Sequence, residues 1–366
     1  MADWLIGAAK VLVAVFTVLQ LSALLLWVER KGSALIQNRI GANRASVFGI
    51  LPFNLGLTNT LVADPIKLFT KEDFRPAGAD RFVHTLAPFL ALFPAIATFA
   101  IIPFGDSITV GSRVIELCAI SLDVGVLYVV AMMGMGVYGT VLAGWASNNR
   151  WSMLGGIRGC AQMISYEIAF GLALVAVVLA YGTLDLQEMV HQQGRLLFGV
   201  LPAWGVFYQP VAFVLLFVAG MAESKRVPFD LPEAESELIT GYFTEYSGGK
   251  QAAFMLADFA EVVVVAGLST TLFFGGWQVP YLTSAGWALP TMELVAVAPW
   301  AVTMMQLAAF GLKVLFFCWL QILIRWTVPR FRYDQLMRLG WKGMIPLALV
   351  NLMVTALVIL VAGESS

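Results

Sequence analysis

Residues 203–222 read AWGVFYQPVAFVLLFVAGMA, residues 223–250 read ESKRVPFDLPEAESELITGYFTEYSGGK, and residues 251–275 read QAAFMLADFAEVVVVAGLSTTLFFG. Each apolar run is close to the roughly 20 residues that a helix needs to cross a bilayer. The connection between them carries six carboxylates, Glu223, Asp230, Glu233, Glu235, Glu237 and Glu245, in a chain that is only 12% charged. Membrane proteins normally collect Lys and Arg in such a connection. The fold and the functional question therefore arise from the same stretch.

Apolar runs of this kind recur from end to end of the 366 residues, 60% of which are hydrophobic. The chain reads as an all-α polytopic membrane protein forming a single integral membrane domain over 1–366. Eight spans are expected near 5–27, 82–103, 119–143, 160–181, 203–222, 251–275, 300–325 and 344–362. The stretch 277–299 offers a ninth, but Pro280 and Pro290 interrupt it and counting it would turn the last basic connection outward. It is read as an external re-entrant or surface segment. The connections 28–81, 144–159, 223–250 and that after the seventh span hold 18 of the 22 Lys and Arg, against Arg113 and Arg195 on the other side. The positive-inside rule puts these four connections in the cytoplasm and both termini outside. No repeat, low-complexity tract or soluble domain interrupts the pattern. The first apolar run is too long for a signal h-region and ends in Glu29-Arg30-Lys31 rather than a small-residue cleavage site.

Composition excludes several chemistries. Cys118, Cys160 and Cys318 are far apart and form no CxxC pair, so no iron–sulfur, zinc or disulfide framework is expected. A haem held by two histidines would need His84 and His191 to meet. A net charge of −1 without a basic block gives no footing for nucleic acid.

The charged residues inside the spans carry the functional signal. Glu167 lies nine residues past Arg158, about 13–14 Å into the fourth span, with Gln162 and Tyr166 sharing a face beside it. Asp258 and Glu261 lie three apart on one face of the sixth span, and Lys313 is deep in the seventh. A charge at the bilayer centre costs about 2.5–3.5 kcal/mol. Several such acids together read as proton carriers that titrate as a coupled set. The plainer alternative is a static bridge from Glu167 or Asp258 to Lys313 or to a partner subunit. Lys10 and Asp123, near the outer surface, read as snorkelling or paired.

Two connections have structure of their own. Asp230, Glu233 and Glu237 fall at i, i+3 and i+7, one face of a short helix. Asp230-Leu231-Pro232-Glu233 also has the form of an N-cap with an N3 acid, which accounts for two of the six acids. Val227, Phe229 and Leu231, interleaved with them, make the loop half-buried rather than freely solvated. In 28–81, Thr60, Asp64, Lys67 and Lys71 fall on one helical face, with Leu57, Leu61, Ile66, Leu68 and Phe69 around the rest. This predicts an amphipathic helix on the cytoplasmic membrane surface. Pro65 allows instead a helix that starts there, capped by Asp64.

Longer motifs point to a family. They are Glu29-Arg30-Lys31-Gly32 with Gln37-Asn38-Arg39-Ile40-Gly41, Lys67 through Glu72, Gly144 through Asn148, Ala161 through Glu167, Ala222 through Gly248, and Pro329 through Leu336. With these the whole chain resembles the H-type membrane subunit of bacterial NADH–quinone oxidoreductase, the counterpart of mitochondrial NADH dehydrogenase subunit 1 in respiratory complex I. The resemblance implies a multi-pass protein of the bacterial plasma (inner) membrane, at the heel of the membrane arm. It would form much of the chamber for its substrate, quinone, and bind no cofactor alone. Flavin and iron–sulfur clusters would sit in partner subunits. The partners implied are the hydrophilic-arm subunits of the quinone site and the small membrane subunits leading to antiporter-like subunits.

Carried over residue by residue, Arg30, Gln37, Arg39, Asp64, Lys67, Arg226, Phe229 and Asp230 would line the quinone chamber and its mouth. Glu29, Tyr166, Glu167, Glu223, Glu233, Glu235, Glu237, Asp258, Glu261, Arg325 and Arg330 would carry the proton or charge path. The chain departs from the family pattern at three places. Gly41-Ala42-Asn43-Arg44 lacks the usual Pro, Ala257-Asp258-Phe259 keeps an acid but loses a tyrosine hydroxyl, and Pro65 replaces Ala. A related subunit of a ferredoxin-linked membrane-bound hydrogenase is the nearest competing reading. A stand-alone secondary transporter is the third, and it calls for inverted repeats that the sequence lacks.

Overall fold

A helix satisfies its own backbone in lipid. The structure, a computed structural model describing residues 2–41, 59–110, 113–197, 201–283, 286–287 and 295–364, uses helices for the long apolar runs. α1 (Ala2–Ile36) is followed by a π turn (Asn59–Ala63), α2 (Asp64–Thr70) and α3 (Arg81–Phe99). The hairpin of β1 (Ser107–Val110) and β2 (Arg113–Glu116) leads to α4 (Gly125–Ala146), α5 (Arg150–Tyr181) and α6 (Leu186–Gln193). β3 (Leu196–Leu197) pairs with β4 (Leu201–Pro202) before α7 (Gly205–Tyr208), α8 (Pro210–Glu223) and α9 (Glu235–Leu238). α10 (Gly248–Phe273) precedes an antiparallel sheet of β5 (Leu282–Thr283), β6 (Gly286–Trp287) and β7 (Val295–Ala296). α11 (Pro299–Thr327), α12 (Tyr333–Arg338), a second π turn (Leu339–Met344) and α13 (Ile345–Glu364) complete the order.

Among the described residues, seven helical segments are long and apolar enough to cross a membrane, and α8 is a shorter apolar helix. α10 is the central element: every residue from Ala257 to Phe273 is buried. It packs against α1, α3, α8 and α11, while α5 joins α4, α8 and α13. Small residues bring the backbones together, as expected where lipid gives no hydrophobic drive between helices. A Cβ on Gly139 would stand 2.6 Å from the Ala91 nitrogen, and one on Gly144 2.6 Å from the Ser152 carbonyl oxygen. Helix ends follow local chemistry. Asp80 caps α3 through the amides of Phe82 and Val83, and Asn149 caps α5 through that of Trp151.

Several sequence expectations change. The fifth span, expected over 203–222, is a 14-residue helix, α8, preceded by the single turn α7. Pro210 has no amide to donate and keeps Gln209 out of the helical region, so the chain breaks there. The first span runs on to Ile36, which puts Glu29 and Arg30 on α1. The connection 144–159 shrinks to 147–149, because α5 begins at Arg150, and Arg158 is helical. Where 277–299 is described it holds short strands; 284–285 and 288–294 lie outside the described residues. The surface helix is interrupted by the π turn, which breaks the i, i+4, i+7, i+11 register. Thr60 is buried and Lys71 stands past the end of α2 in extended backbone. Asp64 is the first residue of α2 but caps nothing with its side chain. Leu57 and 42–44 lie outside the described residues.

The acidic connection does not form the short helix expected to carry Asp230, Glu233 and Glu237 on one face. α9 is four residues long, begins at Glu235, and is preceded by Ala234 with no side-chain cap. Asp230 therefore caps no helix, and its side chain is engaged elsewhere. His84, at the start of α3, stacks on Tyr246, and His191, near the end of α6, faces Asp106 at the opposite end of the bundle, so the two do not meet.

Candidate functional site

α8 stops short, and the chain after it folds into the bundle. At 1.5 Å per residue the 14 residues of α8 cover about 21 Å, against about 48 Å for the 32 residues of α5. Three residues of the acidic loop other than glycine adopt left-handed backbone, Lys225 (φ 53°), Ala234 (φ 27°) and Ile239 (φ 67°). Such conformations cost roughly 1–3 kcal/mol each and persist where surroundings hold them. Gln162 of α5 does part of that holding: its amide donates to the carbonyls of Ala222 and Phe229, 2.7 Å each. Phe229 packs between Tyr166 and Phe331.

The turn at Lys225 sends its ammonium inward. Nζ lies 3.2 Å from Asp258 Oδ1 and 3.2 Å from Glu261 Oε2, with all three side chains buried. Burial opposes the Lys225 charge, but Glu261 and then Asp258 outweigh it and hold the ammonium above the ordinary lysine range. Both oxygens of Glu223 are buried without a hydrogen-bond partner among the described residues. Glu223 and Glu261 line a cavity of about 20 Å³ with Met133, Gly136 and Met163, room for about one water. Glu167 and Glu261 lie within electrostatic range of Glu223, and Glu167 packs its carboxyl against Gly134 of α4.

On the other side of the trio, Glu233 sits near Asp258. Burial first, then Asp258, push its carboxyl up to about 8, partly offset by Arg226. Burial, with Asp258 and Glu233 behind it, also raises the Tyr242 hydroxyl, which has no hydrogen-bond partner among the described residues. Glu233, Asp258, Glu261, Glu223 and Glu167 each lie within electrostatic range of the next, and Lys225 is bound to the second and third of them.

A second cluster lies beside it. Glu29 of α1 forms ion pairs with Arg325 Nη1 at 2.8 Å and Arg226 Nη1 at 3.6 Å. The Arg226 guanidinium also lies 3.8 Å from the centre of the Phe259 ring, so Phe259 serves as a cation–π platform. Arg330 pairs with Asp230, and Tyr166 Oη donates to the Leu336 carbonyl at 3.0 Å. The gap among Glu29, Arg226, Phe259 and Arg325 is about 10 Å³, too small for a quinone ring.

The remaining expected site residues stand apart. Arg30 pairs with Asp64 at 2.6 Å, and Arg39 Nε donates to Gln37 at 2.7 Å, near the end of α1. Lys67 is exposed on α2. Glu237 pairs with Arg158 at 2.6 Å and is half exposed, away from the buried row. The Glu235 side chain is outside the description. Lys313 bridges to neither Glu167 nor Asp258; it donates to the carbonyls of Phe274, Gly276 and Gln278, 2.7–3.0 Å, at the end of α10. The cation that binds the sixth-span acids is Lys225, which in the sequence reads only as a loop charge. The signal available was an acid pair at i, i+3 on a buried helix, which calls for a cation.

A family model described as NADH dehydrogenase matches residues 9–356. An H-type NADH-quinone oxidoreductase subunit of Geobacter sulfurreducens is 44% identical over 358 residues, 98% of each chain. The subunit of the same name in Bdellovibrio bacteriovorus is 39% identical over 380 residues, 98% of this chain and 97% of that one. That of Protochlamydia amoebophila is 43% identical over 335 residues, 92% of each.

Proposed function

The chain belongs to the NADH dehydrogenase family, and from that premise we propose that it links quinone reduction to proton translocation as a membrane subunit of NADH–quinone oxidoreductase. Electrons reach quinone from a cluster in a neighbouring subunit. Quinone takes two electrons and two protons to become quinol, which changes charge and proton demand beside the acidic loop. Arg30, Gln37, Arg39, Asp64, Lys67, Phe229 and the Glu29–Arg226–Arg325 cluster contribute one wall of the chamber, and partner subunits close it. Glu233 passes a proton to Asp258. Lys225, bound to both Asp258 and Glu261, shifts its charge between them as either is neutralised. Glu223 and Glu167 carry the proton towards small membrane subunits and, beyond them, antiporter-like subunits. The basic connections face the cytoplasm of a bacterium and both termini face outward.

The observation that carries this reading is the buried Glu223, whose carboxylate has no hydrogen-bond partner among the described residues and lies within electrostatic range of both Glu261 and Glu167. The test is the assembled enzyme in proteoliposomes with Glu223→Gln, Glu167→Gln or Glu235→Gln. Proton pumping should fall, together with coupled quinone reduction, while electron transfer from NADH to ferricyanide stays normal. Undiminished pumping in the Glu223 and Glu167 variants would refute the row.

A further inference from the structure

At the end of the bundle away from the acidic loop, α5, α6, α7 and α10 stop around a cavity of about 340 Å³, within the usual range of about 300–1,000 Å³ for small-molecule sites. Its lining is divided. Leu272 and Phe273 of α10 give a buried apolar wall, while Arg195 and Tyr208 give donors. Gln192 adds an amide whose Nε2 also reaches Glu188 Oε1 at 3.4 Å, behind the lining, and the Tyr181 hydroxyl donates to the Leu272 carbonyl at 3.4 Å. The close approach of Gly205, where a Cβ would come within 2.6 Å of the Tyr181 hydroxyl, brings α7 onto α5 at this point. Leu196, Phe207 and Tyr208 are exposed beside the mouth, an aromatic and apolar rim of the kind found where lipid headgroups begin.

Arg195 makes no ion pair among the described residues, and Asp106 faces His191 at 3.6 Å. No carboxylate lines the cavity. A headgroup carrying an ammonium would meet a cation and no acid there, whereas a phosphodiester would meet a guanidinium and hydroxyl and amide donors. We propose that this recess binds one anionic phospholipid of the leaflet opposite the acidic loop. Arg195 holds its phosphate, Gln192 and Tyr208 donate to the headgroup, and the acyl chains run out over the apolar rim. Lipid here would tie the ends of α5, α7 and α10 together, remote from the carboxylate row.

The test needs no turnover, so its outcome is separable from that of the proton-path reading. The assembled enzyme is stripped of lipid in detergent and offered phosphatidylglycerol or phosphatidylcholine, and retained lipid is counted by native mass spectrometry and extraction. Wild type should retain phosphatidylglycerol selectively. Arg195→Gln should weaken that retention about tenfold, the loss of one charge-assisted contact. Arg195→Lys should restore most of it, and Arg113→Gln, which removes an equal charge from the same side, should leave it unchanged. Equal phosphatidylglycerol retention in Arg195→Gln and wild type, equal retention of phosphatidylcholine, or displacement by inorganic phosphate alone would each overturn the proposal.

Discussion

One Lys225 ammonium faces two carboxylates, so the trio carries a net negative charge unless Asp258 or Glu261 holds a proton. This makes Lys225 the residue on which charge movement turns. Lys225→Met would leave two acids facing each other in a buried site, and removing one partner of a buried pair costs about 3–5 kcal/mol. The assembled enzyme should melt at a lower temperature and lose pumping; a melting curve and pumping rate equal to wild type would remove Lys225 from the mechanism. Glu233 is the titrating member nearest the loop surface. Burial, then Asp258, raise it to about 8 from 4.5 for a free carboxyl, so the folded chain holds this proton more tightly than the unfolded one. The stability this contributes is complete below pH 4.5 and is lost as pH rises through about 8. Coupled turnover should therefore show an inflection near pH 8 that is missing from Glu233→Gln, while ferricyanide reduction keeps the same profile in both.

At the scale of elements, the acidic loop is held by contacts with α5 rather than by its own helix. A Cβ on Gly155 would stand 2.7 Å from the Tyr242 nitrogen and 2.8 Å from the Pro232 carbonyl oxygen. Backbone cannot give way as a side-chain tip can, so Gly155→Ala should push the loop off α5 at a cost of about 1–3 kcal/mol. Quinone reductase activity should fall in the assembled enzyme while the content of partner subunits holds; unchanged activity would mean that the loop tolerates the shift. The elements also mark what was legible in the sequence. Hydropathy found the long apolar helices because it sums transfer free energy along the chain. It missed the break at Gln209–Pro210 because a missing amide alters hydrogen bonding, not greasiness. The acids were legible for the same reason the spans were: they are costly where they stand. Their partners were not, since Lys225 meets Glu261 across 36 residues and Arg330 meets Asp230 across 100, and local spacing carries no record of such contacts.

For the whole molecule, seven long helices and α8 make an even number of crossings if α8 counts as one. Both chain ends then share a side, opposite the acidic loop. Single cysteines placed at 2 and 364, with Cys118, Cys160 and Cys318 replaced, should react with an impermeant maleimide from outside intact cells. A cysteine at 148 should react only after the membrane is opened. Ends that label from opposite sides would show that α8 does not cross.

The shortness of α8 also bears on how the chain is made. About 21 Å of helix ending in Glu223 cannot by itself bridge a hydrocarbon core of about 30 Å. As the ribosome delivers it, α8 is a poor candidate for independent release into lipid. It becomes a stable resident only when α5 is already in place to receive Ala222 and Phe229, and α10 has arrived to neutralise Lys225. Insertion is therefore expected to follow the contacts that build the carboxylate row: a nascent chain stalled before residue 248 should leave α8 accessible from the aqueous side, whereas one extended past α10 should not.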